Sequence, residues 1–360
     1  MEYLDYKKLK YKFADNEEYK NIIAERIKNS IILPLKAKNG ESLKFVYSKE
    51  INNLIDEIER VYQSAKVDPI KFITDEAYST CTIEGARSTI ADTVKLSEGK
   101  EPSNHSEKMI KNNINAIELV LNRGFKFDEE NVLNLWKVLS DDAVDNIEIQ
   151  GEKYRIDDVV IADSMGNISF YAPEAEKIED MMDQLFKFIN NNDTLNSFKK
   201  AIIIHYYFVY IHPFCDGNGR CARLLLQNYL IDKGFDKFRG ISISTGVLQN
   251  KSGYYRALEN SENEYNDITF IIIFYLETIL DVLYQACEGF GYSERHLDMS
   301  NRQRQVIVYL RRNKGNIITA DIYSKRYNVD IELAQKELEE LVEAKILAST
   351  STDRIEYRAN

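Results

Sequence analysis

The stretch His212-Pro-Phe-Cys-Asp-Gly-Asn-Gly-Arg-Cys-Ala-Arg223 packs into twelve residues the groups needed to move a phosphate-bearing fragment. A neutral histidine can take a proton from an incoming hydroxyl, because its pKa lies near neutrality. Gly217 and Gly219 around Asn218 let backbone N–H groups point into one concavity, which suits an anion. A helix predicted to follow, over Cys221–Leu230, adds the positive end of its dipole to that field. Arg220 and Arg223 bring two planar forks matched to phosphate oxygens. Asp216 is an odd neighbour for phosphate unless a divalent cation bridges the two, and Mg2+ held by one carboxylate plus phosphates meets that need. Pro213 ends the preceding helix, and Phe214 is expected to point into the core and pin the loop. Base, cation, nest and two arginines together describe phosphoryl or nucleotidyl transfer.

Blander readings exist for each part. A Gly-Asn-Gly turn alone is usually a plain connection between helices, and a histidine before proline is usually structural. The density of groups over 212–223 argues against both. A zinc site from His205, His212 and Asp216 is conceivable, since residues seven apart share a helix face. It leaves the glycines and arginines without a role. Cys215 and Cys221 flank the motif, yet no histidine-to-cysteine relay follows from the spacing.

The elements that must carry this motif are mainly helical. Apolar residues recur at three- and four-residue spacing over Ser48–Ser64, Asn112–Leu121, Glu130–Leu139, Glu176–Ile189, Phe198–Tyr210 and Thr269–Tyr284. Breaks fall at Asp68-Pro69, Glu101-Pro102 and Ala172-Pro173, because a residue before proline avoids the helical region. Residues 159–171 differ: two short β-prone runs flank Gly166-Asn167 and predict a hairpin. Its open edge could take an added strand. From 301 on, the order is helix (Asn301–Arg312), short segment (Ile317-Ile318), helix (Thr319–Tyr327), helix (Ile331–Ala344), then β-prone Ile346–Ser349 and Ile355–Tyr357. That order is similar to a winged helix-turn-helix. Its third helix carries Asp330, Glu332, Glu337, Glu339, Glu340 and Glu343 against Lys336 and Lys345, a poor fit to the major groove. Protein interaction is therefore the favoured role for this part, with DNA binding disfavoured. No internal repeat or low-complexity tract stands out.

Bulk properties set the frame. A chain of 360 residues suffices for two or three units with real cores. With 44% hydrophobic and 29% charged residues it reads as globular rather than disordered. The net charge of −11 argues against a general nucleic-acid binder, though a small anion site needs only a local field. The first residues include acids with no apolar run behind them, and stretches such as Ile271–Leu276 are too short to span a bilayer. No membrane role is expected. Four cysteines without C-x-x-C spacing suggest reduced thiols and a cytoplasmic setting.

His212 to Arg223 matches every specified position of H-x-F-x-[DE]-G-N-G-R-x-x-R, the signature of the Fic family, and the chain resembles that family over about residues 45–290. Gly151-x-x-Tyr-Arg155 before the hairpin and Tyr254-Tyr255 after the motif add to the likeness. Trp136 is a departure, standing where many relatives carry histidine. The resemblance implies a helical bundle with a hairpin flap. It divides the chain into 1–98 (N-terminal helical region), 99–291 (catalytic core) and 292–360 (winged-helix-like domain). It implies transfer of AMP from ATP to a Tyr, Thr or Ser hydroxyl of a target protein, with release of pyrophosphate. His212 would be the base and Asp216 the Mg2+ ligand. Gly217, Asn218 and Gly219 would form the nest, Arg220 would bind the phosphate chain and Arg223 the γ-phosphate. Tyr254 and Tyr255 would lie near the adenine. The hairpin 159–171 would hold the target by strand addition. The complete D-G-N-G-R-x-x-R run suits a metal-bound triphosphate better than transfer of UMP, phosphate or phosphocholine.

Thr80-Cys-Thr-Ile-Glu84-Gly85 resembles the family's inhibitory helix, [ST]-x-x-x-E-[GN]. Glu84 would engage Arg223 as a bidentate carboxylate–guanidinium pair and withhold it from ATP. Some relatives run the reverse reaction, removing AMP with the same residues. A reading from another class is a transcription-linked DNA-binding regulator with the Fic part as sensor. Self-modification and a homodimer stay open at this stage.

Overall fold

The computed structural model describes residues 3–13, 16–121, 124–144, 147–162, 168–192, 194–287, 299–312, 317–344, 346–350 and 355–359. Mean packing divides the chain into two compact units, residues 1–57 with 67–279, and residues 58–66 with 280–360.

In chain order the first unit opens with α1 (Tyr6–Phe13), α2 (Glu17–Lys28), β1 (Ser30–Lys36), β2 (Ser42–Val46) and the start of α3 (Lys49–Ser64). It continues with α4 (Pro69–Ile83), α5 (Ile90–Ser97), α6 (His105–Leu121), α7 (Glu129–Ser140), β3 (Val160–Ala162) and β4 (Ile168–Tyr171). Then come α8 (Ile178–Asn190), α9 (Ser197–Ile211), α10 (Asn218–Asp232), α11 (Ile243–Gln249), α12 (Lys251–Ser261) and the start of α13 (Thr269–Ala286). The fold is mainly helical, as the spacing of apolar residues predicts.

The core is built on α9 and α10. A helix apolar on every side has no solvent face to present, so it belongs at the centre. Buried residues surround α9 from Phe198 to Ile211, and α10 is buried almost throughout from Asn218 to Ile231. The motif is the link between these two core helices, so its backbone is held from both ends. The proline breaks act as expected at α4. Asp68 caps it by accepting from Lys71 N–H at 3.0 Å, and Pro69 fills the first turn, where no N–H is needed. The helix α13 is long and apolar enough to cross a membrane, longer than the sequence expectation of short apolar stretches, and it is 78% buried within the protein.

An antiparallel pair, β1–β2, lies in a region expected to be helical. Its signal was present: Asn39-Gly40, with Gly40 at φ 83°, sits between β-prone runs. The register shifts between Ile32 and Lys36, which brackets Pro34, a residue without a ladder donor. This hairpin reaches the flap, since Lys38 Nζ donates to the Tyr171 carbonyl at 2.7 Å. The flap is β3 paired antiparallel to β4, with Val160 opposite Tyr171. The predicted turn at Gly166-Asn167 lies outside the described residues.

The second unit contains α14 (Asn301–Arg312), α15 (Ala320–Tyr327), α16 (Ile331–Glu343), β5 (Leu347–Ser349) and β6 (Tyr357–Ala359). The strands β5 and β6 pair antiparallel, and Ile318 bridges to Tyr357. Glu337 of α16 is buried and accepts from Arg302 Nε at 3.0 Å, from Arg302 Nη2 at 2.7 Å and from Tyr323 Oη at 2.7 Å. One carboxylate thereby joins α14, α15 and α16.

Candidate active site

The site begins where α9 stops. His212 sits in the left-handed region, φ 53° and ψ 59°, with its N–H on the Phe208 carbonyl at 3.1 Å. That conformation is costly for a non-glycine residue and persists only where the surroundings enforce it. Arg155 enforces it. Its guanidinium, 2% exposed, donates to the carbonyls of His212 at 2.8 Å, Asp157 at 2.6 Å and Pro173 at 2.6 Å. Its backbone N–H donates to the Pro213 carbonyl at 2.9 Å. Gly151 makes this approach feasible, because a Cβ there would lie 2.8 Å from the Tyr154 carbonyl oxygen. The sequence offered Gly151-x-x-Tyr-Arg155 only as a likeness; its physical role is to clamp the turn.

Phe214 is fully buried, as expected, and stacks on Trp136 with ring centroids 4.7 Å apart. Trp136 also donates its indole N–H to the Asp216 carbonyl at 3.0 Å. The departure at Trp136 is thus part of the loop's support. Asn218 completes it, accepting from Phe214 N–H at 3.0 Å and donating to the Phe214 carbonyl at 2.8 Å. The Asn218 side chain therefore pins the loop, which leaves its backbone N–H for the nest.

The His212 ring places Nδ1 3.3 Å from the Val209 carbonyl. With the proton assigned to Nδ1, Nε2 is left as the accepting nitrogen. Burial pushes the imidazole down to about 4, with the Arg155 charge acting the same way, so the ring is neutral at pH 7. A neutral ring with a free Nε2 is the state a base must start from.

Gly217, at φ 81°, caps α10, and no side chain occupies the cap position. The first turn of α10 therefore has no side-chain cap, and an uncapped helix start suits an anion. Asp216 accepts from Gly217 N–H and, at 3.0 Å, from Arg220 Nη2. Arg220 is fully buried, and its Nε has no partner. Arg223, 3% exposed, likewise has an unpartnered Nη1. Buried donors without partners are expensive, and two beside an uncapped helix start point to an anionic ligand.

The other donors of Arg223 are taken by α4. Nε donates to Thr80 Oγ1 at 2.7 Å, and Nη2 donates to the Thr80 carbonyl at 3.1 Å and to Glu84 Oε1 at 2.6 Å. The expected two-pronged pair with Glu84 is thus a single prong on Nη2: Thr80 takes Nε and shares Nη2, while Nη1 stays unpartnered. A Cβ on Gly219 would lie 2.3 Å from Glu84 Oε1, so the carboxylate rests on the first turn of α10. Burial opposes the Glu84 charge, but Arg223 outweighs it and holds the carboxyl below its usual range. Burial likewise opposes the Arg223 charge, and Glu84 keeps that guanidinium firmly protonated. Gly85, at φ 94°, ends the helix just beyond.

Three residues singled out in the sequence lie close to this core. Tyr254 is 2% exposed and its hydroxyl lies 3.3 Å from His205 Nε2, so its ring has no free face for adenine. Tyr255 is half exposed and donates to the Ile83 carbonyl at 3.3 Å, at the end of α4. His205 faces Tyr275 at 2.9 Å and Tyr254 rather than joining His212 and Asp216, which removes the zinc reading. Among the described residues no group of three or more His, Cys, Asp or Glu could hold a metal. Burial also pushes the Cys221 thiol up to about 12 and raises that of Cys215, so neither is a ready thiolate.

Comparison with known proteins gives the same setting. Residues 126–230 match the Fic/DOC family. The chain is 31% identical over 109 residues to a probable protein adenylyltransferase of Aquifex aeolicus, covering 30% of each chain. It is 35% identical over 89 residues to a protein adenylyltransferase Fic of Nematostella vectensis, covering 24% of this chain and 19% of that one. The matches thus span a third or less of these relatives' lengths. Among solved structures, a Fic family protein from Desulfovibrio desulfuricans is similar at TM-score 0.61 and 19% identity, covering 88% of this chain and 97% of that one. A Fic domain containing signaling protein from Bacteroides thetaiotaomicron is similar at TM-score 0.51 and 20% identity, covering 66% and 95%. These two show a shared fold. The matched stretch holds Trp136, Arg155 and the whole motif, while Thr80 to Gly85 lie outside it.

Proposed function

We propose that this chain, which carries a Fic domain, transfers AMP from ATP to a hydroxyl of a target protein and releases pyrophosphate. The observation that carries the reading is the convergence on one helix start of a neutral His212, an uncapped anion nest and two buried arginines with spare donors. In this reading Nε2 of His212 removes the proton from a Tyr, Thr or Ser hydroxyl as it attacks the α-phosphorus. The bond to the β-phosphate oxygen breaks, and pyrophosphate leaves with that electron pair. The nest over Asn218 and Gly219, with Arg220, holds the charge that develops, while the Gly217 N–H, expected in the nest, is taken by the Asp216 carboxylate. Asp216 fits an Mg2+ that takes one carboxylate and otherwise phosphate oxygens, and its side chain is 35% exposed at the loop. When bound, that ion would neutralise charge on the phosphates. The target would dock on the hairpin, where Val160 and Tyr171 are 51% and 58% exposed opposite each other.

The chain is restrained in this reading. Glu84 lies on the first turn of α10 and takes Arg223, the arginine assigned to the γ-phosphate. Glu84→Gly should raise incorporation of labelled AMP from ATP, including self-modification, and His212→Ala should abolish it in either background. Equal incorporation by wild type and Glu84→Gly would sink the restraint, and incorporation by His212→Ala would sink the transfer mechanism. A second reading, removal of AMP from a modified target, draws on the Glu84 side chain being 30% exposed, where it could orient a water. Release of AMP from a pre-modified target by wild type, but not by Glu84→Gly, would favour it. A cytoplasmic setting is proposed on the sequence alone, where Cys81, Cys215, Cys221 and Cys287 show no C-x-x-C spacing.

A further inference from the structure

We infer that the segment from Ser242 to Tyr255 is the holder of α4, and that Glu76 is the positioning residue that sets Glu84 against Arg223. This rests on the restraint proposed above. Glu76, Thr80 and Glu84 stand four residues apart, so they share one face of α4. Two of them meet Arg223. The third, Glu76, has no exposed surface and points to the start of α11. There it accepts from Ser242 Oγ at 2.7 Å, from Ser244 Oγ, and from Ser244 N–H at 3.4 Å. A buried carboxylate is costly without converging donors, and these two serines supply them. Ser79 adds a contact of 3.2 Å between its Oγ and Thr245 Oγ1.

The far end of α4 is held from the same segment. A helix leaves its last carbonyls without partners. Lys251 Nζ reaches the Thr82 carbonyl at 3.4 Å, and Tyr255 Oη reaches the Ile83 carbonyl at 3.3 Å. Holding is needed for two reasons. Glu84 is the C-cap of α4, where the helix's own dipole disfavours a carboxylate. Its bond to Arg223 is a single one, too little to fix the end of a helix alone. None of these holding contacts is made by a residue from His212 to Arg220.

The test uses the full chain with Ser242→Ala/Ser244→Ala, which keeps Glu76 and strips its hydroxyl donors. Ser79→Ala is a milder second variant acting through α11 in case the first does not fold, as judged by thermal unfolding. Each is made with Glu84 intact and with Glu84→Gly, and self-incorporation of AMP is measured by mass spectrometry. With Glu84 intact, the double serine variant should transfer on the order of tenfold faster, the ratio expected from losing a hydrogen bond to a charged group. Ser79→Ala should move the same way by less. In the Glu84→Gly background neither should change the rate. The assignment is overturned if the folded variants leave the rate unchanged while Glu84→Gly raises it. It is equally overturned if they shift both backgrounds alike, which is what a merely structural contact would do. If Glu84→Gly itself raises nothing, the restraint fails first, and that outcome is separate from the other two.

Discussion

At the scale of single residues, His212 is set up by what surrounds it rather than by its own type. Its ring is half-buried and sits near the Arg155 guanidinium, and both the lost solvent and that charge disfavour the protonated form. The unfolded ring titrates near 6.5, so the folded ring binds fewer protons between pH 6.5 and about 4. Two consequences have definite signs. Because the base form persists in mild acid, kcat/KM of the Glu84→Gly variant should stay flat from pH 8 to pH 6 and fall only toward about 4. Because the unfolded chain takes up the extra proton, the same group lowers stability as pH falls through that window. A pH–rate profile with an acid limb near 6.5 would show that the ring is solvated in the working enzyme. The residue identities at this scale were legible in the sequence, because type and spacing alone specify a nest and two forks. The unpartnered Arg220 Nε and Arg223 Nη1 were not, since only three-dimensional crowding decides which donors go without.

At the scale of elements, the motif works because a loop between two core helices is braced from a third direction. The spacing of apolar residues revealed α3, α6 to α9 and α13, since these bury a face or their whole surface. It missed β1–β2, where a seven-residue strand with a proline leaves too short a record of alternation. Tyr254 misled because a tyrosine pair reads alike whether it lines a pocket or a core; its bond partner, His205, is 49 residues away. The role of Arg155 was hidden for the same reason, since its carbonyl partners are spread from Asp157 to His212. Its action is testable. Arg155→Lys keeps a charge but cannot reach three carbonyls from one planar group. The left-handed turn at His212 would then relax and displace the base. Transfer should fall by about a hundredfold in kcat, the size of effect expected from a misplacement near 1 Å. KM for ATP should change little, because the nest and Arg220 are untouched. A loss confined to KM would mean that the clamp serves nucleotide binding instead.

At the scale of the whole molecule, the second unit decides whether this protein also reads nucleic acid. Its order of helix, bridge residue, two helices and hairpin is the order that the sequence predicts, so the winged-helix likeness keeps its force as a proposal. The charge distribution argues against the groove. The helix in the reading position is α16, and Glu332, Glu339, Glu340 and Glu343 are all exposed on it. Glu337, the one acidic residue that turns inward, is spent on joining Arg302 and Tyr323, so it does nothing to relieve that surface. Four carboxylates facing a phosphate backbone repel it, and repulsion is strongest where salt is low. The full chain should therefore give no retardation of genomic DNA fragments even at low ionic strength. Exchanging the four glutamates for glutamine should change little, because removing repulsion does not create the cationic footprint that binding requires. A shift that appears at low salt and weakens as salt rises would instead require a basic surface elsewhere on the unit. It would favour the regulator reading, while an absent shift leaves the acidic face of α16 as a surface for a basic protein segment.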